Sequence, residues 1–253
     1  MKISVITAAF NSATTISDTL LSVASQSYSD FEHIIVDGQS RDDTVETVKA
    51  HWHSRLVINS EPDEGIYDAM NKGLKIAQGE IMGFLNADDL FADSEVLARV
   101  SKAFKDPDVD VCFGDLVYVT QDMCRVVRFW KSGPYKRGSF TRGWSPAHPT
   151  FYIRRSALER LGFFDLNYTL AADTEFMMRY LETGSLRCLY IPHIQVRMRV
   201  GGATNRSFKN ILRQNCEIFN ALKKNALAYH LVLFWFHKIV NRIGQRFAAM
   251  RSK

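Results

Sequence analysis

The chain has 253 residues, 46% of them hydrophobic and 23% charged, with a formal net charge of +5. That length and balance exclude a disordered or fibrous protein and allow a sizeable core, in one large domain or two fused halves. Cys112, Cys124, Cys188 and Cys216 have neither zinc spacing nor the density of a disulfide scaffold, so they are expected to be reduced packing residues.

Residues 2–8 already read as a buried strand, with no charged-then-apolar leader ahead of them, and the chain is expected to stay in the cytoplasm. Strand-like and helix-like patterns then alternate. A strand over 3–8 precedes a capped helix over 11–26, in which Ile16, Leu20, Leu21 and Val23 form a stripe. The pairing repeats with 31–37 and 43–50, with 56–59 and 66–77, and with 81–85 and 94–104. Four such units in this order imply an α/β fold with a parallel, right-handed, doubly wound sheet and helices on both faces. After Pro107 the pattern changes to adjacent strands over 111–120 and 124–130, followed by a basic, glycine-rich loop over 131–143. Loops of that length in compact domains serve as lids or binding loops, or are disordered. Short helices over 156–161 and 173–182 and a strand near 186–191 complete this half. No low-complexity linker parts the halves, so they are expected to share one sheet.

The chemistry gathers at the strand ends. The first strand ends in Thr7-Ala-Ala-Phe-Asn11, the second in Asp37-Gly-Gln-Ser-Arg-Asp-Asp-Thr44, and the fourth in Asn86-Ala-Asp-Asp89. In a parallel sheet these ends meet at one crevice, where open α/β sheets bind ligands. A hard divalent cation carrying a diphosphate suits such a cluster of oxygen ligands. A solvated turn with a helix cap is the plainer alternative for an isolated Asp-Asp pair.

Across roughly residues 1 to 205 the sequence resembles glycosyltransferase family 2. The resemblance rests on Phe10-Asn11, the turn from Asp37 to Asp42, Asn71-Lys-Gly73, Gly79-Glu80, and Asn86-Ala-Asp88 in place of an Asp-x-Asp. It continues through Gly162-Phe-Phe-Asp165 and the run from Asp173 to Arg179, and the segment from Asp63 to Gly73 looks like the branch that builds bacterial O-antigen and exopolysaccharide repeat units. The family implies a GT-A fold, Rossmann-like and mostly parallel, and inverting transfer of a sugar from a nucleoside diphosphate. Residues 1–106 would form the nucleotide-sugar half and 107–205 the acceptor and catalytic half.

Carried over by position, the resemblance makes Asp37 the acceptor of a base N–H, with a UDP-sugar as first choice. Ala8 and Phe10 line the base or ribose pocket, and Asp63 lies near base and ribose. Asp88 is the metal ligand for Mn2+ or Mg2+, which would stabilise the leaving diphosphate. Asp173 matches the general base, with Glu175 as fallback, and His148 is placed against the acceptor. Two departures stand out. Asn86 removes one carboxylate, although as a donor-site residue its amide oxygen can still contact ribose or a metal-bound water, and Met70 replaces a phosphate-binding Arg, which leaves Lys72 or a loop cation to neutralise charge. A late metal-binding His of some relatives has no clear counterpart.

The segment 206–253 reads as a helical appendage in which Lys209, Arg213, Lys223, Lys224, Lys238, Arg242, Arg246, Arg251 and Lys253 face the single acid Glu217. Trp235, Ile239, Ile243 and Phe247 recur every fourth residue, as in a basic amphipathic helix at an anionic membrane surface. A packing helix or a homodimer contact is the alternative. Nucleic-acid binding is disfavoured, because a bulky apolar stripe suits lipid better than phosphate backbones. The expected function is sugar transfer to a polyprenyl-diphosphate-linked saccharide at the inner face of the plasma membrane. The other reading is a catalytically weak nucleotide-sugar-binding partner in a polysaccharide assembly complex.

Overall fold

The computed structural model describes residues 1–184, 186–201 and 208–250, with side chains at all of these except 208, 239, 241–244 and 246–250. Strands β1 (Ile3–Ala9), β2 (Phe31–Asp37), β3 (Leu56–Ser60) and β4 (Ile81–Phe84) are parallel and lie in the order β3-β2-β1-β4. Helices α1 (Ile16–Ala24), α2 (Thr44–Ala50) and α3 (Ile66–Ile76) are the crossovers between them. Every residue of β1, β2 and β4 is buried, as expected of central strands covered on both faces. Their side chains alternate between two cores: Ile6 and Ala8 join Ile34 and Val36 on one face, while Ile3 and Val5 join Ile81 and Leu85 on the other. Against the first face α3 packs closely, since a Cβ at Gly73 would lie 2.4 Å from the Ile6 side chain.

Beyond β4 the sheet changes direction. The strand β8 (Tyr152–Arg154) runs antiparallel to β4 and to its other neighbour β6 (Val111–Val119), and β9 (Cys188–Arg199) and β5 (Leu90–Phe91) follow. The remaining strand, β7 (Val126–Trp130), pairs with β6, so both halves do share one nine-stranded sheet. Helices α4 (Val96–Ala103), α5 (Arg155–Leu161) and α6 (Ala172–Met178) complete the layers.

Several elements differ from the sequence reading. Helix α1 begins at Ile16 because residues 11–15 form a turn: Asn11 has a left-handed φ of 50°, and the Ser12 carbonyl accepts from the Thr15 and Ile16 N–H groups. The strand expected near 186–191 runs on to Arg199, and the helix expected over 173–182 ends at Met178 in a wider turn. Of the cysteines only Cys112 is fully buried, whereas Cys124 and Cys216 are exposed and do not serve packing.

The C-terminal segment is not set apart from the domain. Helix α7 (Phe208–Lys224) and helix α8 (Leu231–Met250) bring Ile218, Ala221, Leu222 and Phe234 into the main core. Arg128 of β7 donates to Gln245 of α8 at 2.6 Å. Of the stripe read from sequence, only Trp235 has a described side chain; those of Ile239, Ile243, Phe247, Arg242 and Arg246 are not described, and Arg251, Lys253 and the boundary at 205/206 lie outside the described residues.

The β4–β8 junction makes a testable demand. A Cβ on Gly83 would lie 2.2 Å from the ring of Tyr152, which is fully buried with its hydroxyl unpartnered. Gly83→Ala is expected to lower unfolding free energy by about 1–3 kcal/mol, as overpacking does. Tyr152→Phe removes a desolvated hydroxyl and is expected to be neutral or stabilising. Chemical denaturation of both variants checks the pair, and a stable Gly83→Ala protein would mean that the ring moves freely.

Candidate active site

The parallel register carries the ends of β1, β2 and β3 to one edge, with Ala9 opposite Asp37 and Asp37 opposite Ser60. Asp37 is fully buried and accepts from Ser40 Oγ (2.5 Å), Ser40 N–H (3.1 Å) and Ser60 Oγ (2.6 Å). An ionised carboxylate offers about four acceptor positions, and three of those on Asp37 are taken by these donors. Asp63 lies directly on the following residue: a Cβ at Gly38 would sit 2.3 Å from its carboxylate. The Phe10 turn is stitched to the same region, where Asn11 N–H donates to Ser40 Oγ and Arg41 N–H donates to Asn11 Oδ1. Phe10 itself is 60% exposed, which rules out a core role. The Ala8 methyl, by contrast, packs in the core.

At the end of β4, Asn86, Asp88 and Asp89 divide their work. Asp89 is fully buried and accepts from Asn86 Nδ2 (2.8 Å) and Arg199 N–H (3.2 Å); burial, then the charge of Asp88, push its pKa well up. Asp88 is partly exposed, and no described side chain donates to its carboxylate. Burial raises its pKa too, opposed by the positive charge of Arg199. A desolvated carboxylate that no described side chain reaches suits a hard cation. Magnesium in particular takes one or two carboxylates with substrate phosphates and water. Among the described residues no three His, Cys, Asp or Glu side chains cluster as a metal cage.

A cavity of about 1120 Å³, lined in part by Arg199, lies between β6 and β7, the 131–149 segment, α6, α7 and α8. Trp130, Trp144, Phe140 and Phe234 give it aromatic walls, and Asp173 and His148 stand on its surface. The 131–143 loop is fastened there, with Ser132 N–H donating to Asp115 (2.8 Å), Gly138 N–H to Glu182 (2.9 Å) and Trp144 Nε1 to the Ser132 carbonyl (2.7 Å). Asp173 accepts from Tyr67 Oη (3.3 Å) and Thr174 N–H (2.7 Å) on one oxygen, and no described group donates to the other. His148 is buried against Phe84, ring centroids 4.9 Å apart, and its Nε2 has no partner. Burial lowers its pKa while the Asp173 charge pulls the other way, which leaves a neutral imidazole at physiological pH.

Two residues singled out from sequence do not face this cavity. Glu175 is fully buried and paired with Arg179 (3.1 Å) and Lys224 (3.2 Å). Lys72 donates to the Pro62 carbonyl (2.5 Å) and pairs with Glu61 and Asp68, so its ammonium holds the 61–68 segment. Met70 is 1% exposed in the core and offers nothing to a phosphate. Asp89 and Arg199 were missed as individual site residues, although the carboxylate was visible beside Asp88; their link spans 110 positions and leaves no local signal.

A sequence model described as Glycosyl transferase family 2 matches residues 4–162. Over 208 residues the chain is 30% identical to a PGL/p-HBAD biosynthesis glycosyltransferase of Mycobacterium bovis, covering 80% of this chain and 78% of that one. Over 254 residues it is 25% identical to WfaP of Escherichia coli, a UDP-Glc:alpha-D-GlcNAc-diphosphoundecaprenol beta-1,3-glucosyltransferase, covering 99% and 98%. In structure it is similar to S. aureus TarS 1-349 in complex with UDP, with a TM-score of 0.66 and 22% identity over 91% of this chain and 67% of that one. It is also similar to the mannosyltransferase PcManGT from Pyrobaculum calidifontis in complex with GDP-Man and Mn2+, with a TM-score of 0.64 and 19% identity over 99% and 74%. The fold is of the GT-A type.

The contrast between the two acids on α6 is measurable. Glu175→Gln leaves Arg179 without its carboxylate and is expected to cost about 3 kcal/mol, the lower end for breaking a buried pair, because Lys224 stays half exposed. Asp173→Asn is expected to change stability by less than about 1 kcal/mol, as substitutions outside buried networks do. Parallel urea titrations with equal losses would erase the distinction drawn between them.

Proposed function

The chain belongs to glycosyl transferase family 2 and is a glycosyltransferase, and from that premise we propose that it transfers a hexose, with inversion, from a nucleoside diphosphate, UDP first, to a polyprenyl-diphosphate-linked saccharide in bacterial surface-polysaccharide assembly of the O-antigen type. One observation carries this reading: two carboxylates with open acceptor positions, Asp88 after β4 and Asp173 on the wall of a large aromatic cavity, are linked through Arg199, which donates to the Asp88 carbonyl and also lines that cavity. Support for the lipid-linked acceptor comes from WfaP, which matches nearly the whole chain and whose name states such a substrate.

In this mechanism the last free acceptor position of Asp37 takes the base imide N–H, Phe10 stacks on the base, and Asp63 lies beside the ribose. Asp88 is the residue that would hold Mg2+ or Mn2+, and a bound ion there neutralises the leaving diphosphate. Asp173 removes the proton from the acceptor hydroxyl with its uncommitted oxygen, on the face opposite the leaving group. Neutral His148, on the same cavity wall, contacts that acceptor. The cavity exceeds the roughly 300–1,000 Å³ of ordinary small-molecule sites, which suits a saccharide together with part of its diphosphate carrier.

Among the described residues no helix is long and apolar enough to cross a membrane. On α8, however, Leu231, Val232, Leu233, Phe236 and Val240 are exposed while Phe234 closes the cavity. Such a helix lies in a lipid surface and presents the cavity to a lipid-linked acceptor, so the enzyme works as a peripheral protein at the inner leaflet.

Mass spectrometry of UDP- and GDP-sugars incubated with a synthetic lipid-diphosphate GlcNAc acceptor and either metal tests the reaction; product from none of the donors overturns it. Asp88→Ala is expected to abolish transfer and weaken donor binding, and a variant equally active in EDTA would remove the metal from the mechanism. Asp173→Asn is expected to lower transfer by about 10²–10⁴, the scale of general-base loss, with nucleotide binding intact by calorimetry. Near-normal transfer by that variant assigns the proton to another group.

A further inference from the structure

Arg199 is 5% exposed, yet it is one of the residues that line the cavity. Nη1 donates to the Asp88 carbonyl (2.7 Å), Nε to the Gln121 carbonyl (3.1 Å) and Nη2 to Asp18 of α1 (2.5 Å), while its own N–H donates to the Asp89 carboxylate (3.2 Å). The segment around it is fastened as well: Val200 N–H donates to the Val119 carbonyl, and Gln121 Nε2 donates to the Val200 carbonyl. One side chain thus ties together α1, the turn after β4, the β6–β7 turn and the end of β9.

We propose that Arg199 is a positioning residue for the metal-ligand turn, fixing the direction in which the Asp88 carboxylate is presented and coupling that turn to the wall of the acceptor cavity. Two contacts on adjacent residues produce this effect. The bond to the Asp88 carbonyl sets the orientation of the 88–89 peptide, and the bond from the Arg199 N–H holds the neighbouring Asp89 inward. With Asp89 held and Asp88 free, only one of two adjacent acids can serve as ligand. Asp18, half exposed at the far end of the guanidinium, keeps the fork aligned and balances its charge. A planar guanidinium can meet three acceptors at once, whereas an ammonium on a flexible stem cannot hold the same directions.

This inference rests on the donor-site reading of Asp88, and its test separates the two. The probes are UDP and GDP, titrated calorimetrically into the protein with Mn2+ and again with EDTA, alongside thermal melting. In Arg199→Met the metal-dependent gain in nucleotide binding is expected to fall roughly 10–100-fold, the range for loss of a group that orients a metal ligand, with binding in EDTA unchanged. Arg199→Lys should recover part of that gain, and Asp18→Asn should lose a smaller part while melting like the parent. Arg199→Met that keeps the full Mn2+ gain, or that loses binding equally with and without metal, overturns the proposal alone. If Arg199→Met does not fold, Asp18→Asn and Arg199→Lys decide by the same comparison. A parent chain that binds neither nucleotide better with Mn2+ overturns the metal reading of Asp88 and this proposal with it.

Discussion

A run of aromatic rings in stacked, tilted and edge-on contact sets the distance between the two halves of the site. Phe84, the last residue of β4, meets His148 at 4.9 Å and Phe164 at 5.3 Å; Phe164 lies 4.3 Å from Phe176 of α6, which lies 4.3 Å from Tyr180. Each such contact contributes about 0.5–1.5 kcal/mol beyond the area it buries, so the run resists sliding of β4 past α6. Asp88 follows Phe84 by four residues and Asp173 precedes Phe176 by three. The relative placement of donor edge and proposed base is therefore a property of the core, and the loops around them inherit it.

Polar contacts fix the start of α6 from the opposite side. Glu217 of α7 accepts from the N–H groups of Leu170 and Ala171 and from Thr169 Oγ1, at 2.8 to 3.0 Å. Arg179 donates to the carbonyls of residues 161 to 163 and to Glu175, which also accepts from Lys224 of α7. In sequence Glu217 looks like the lone acid of a basic tail; in the fold it is the acceptor that anchors the chain entering the Asp173 helix. The C-terminal helices are thus structural partners of the catalytic half, and α8 adds a cavity wall on one side and exposed apolar residues on the other.

The first hundred residues are legible because strands and crossover helices alternate there: β1, β2 and β4 are buried on both faces, and the helices between strands carry apolar residues toward the sheet. Strands β5 and β8 escape such reading, with two and three residues that have no period of their own and exist only because β9, β4 and β6 supply their hydrogen-bond partners. The site divides along the same line. Asp37, Asp63, Asp88 and Asp173 sit at strand or helix ends, where sequence pattern locates them. Asp173 and Glu175 could not be separated by pattern alone, yet two residues on a helix are about 200° apart, so only one can face a cavity. Lys72 and Arg199 were assigned or missed for one reason: the partners of a long cation are chosen in three dimensions.

Asn86 shows how a departure from the family pattern can be a gain. With Asp88 and Asp89 already adjacent and partly or fully buried, a third carboxylate at position 86 would face Asp89 across the 2.8 Å contact that the Asn amide now makes. Like charges at that separation cannot both ionise in a desolvated site, and one would take up a proton. The amide instead donates to Asp89 and satisfies one of its oxygens, while the Arg199 N–H satisfies the other. The buried acid is thereby fully paired, and Asp88, which no described side chain reaches, keeps the more open carboxylate of the two.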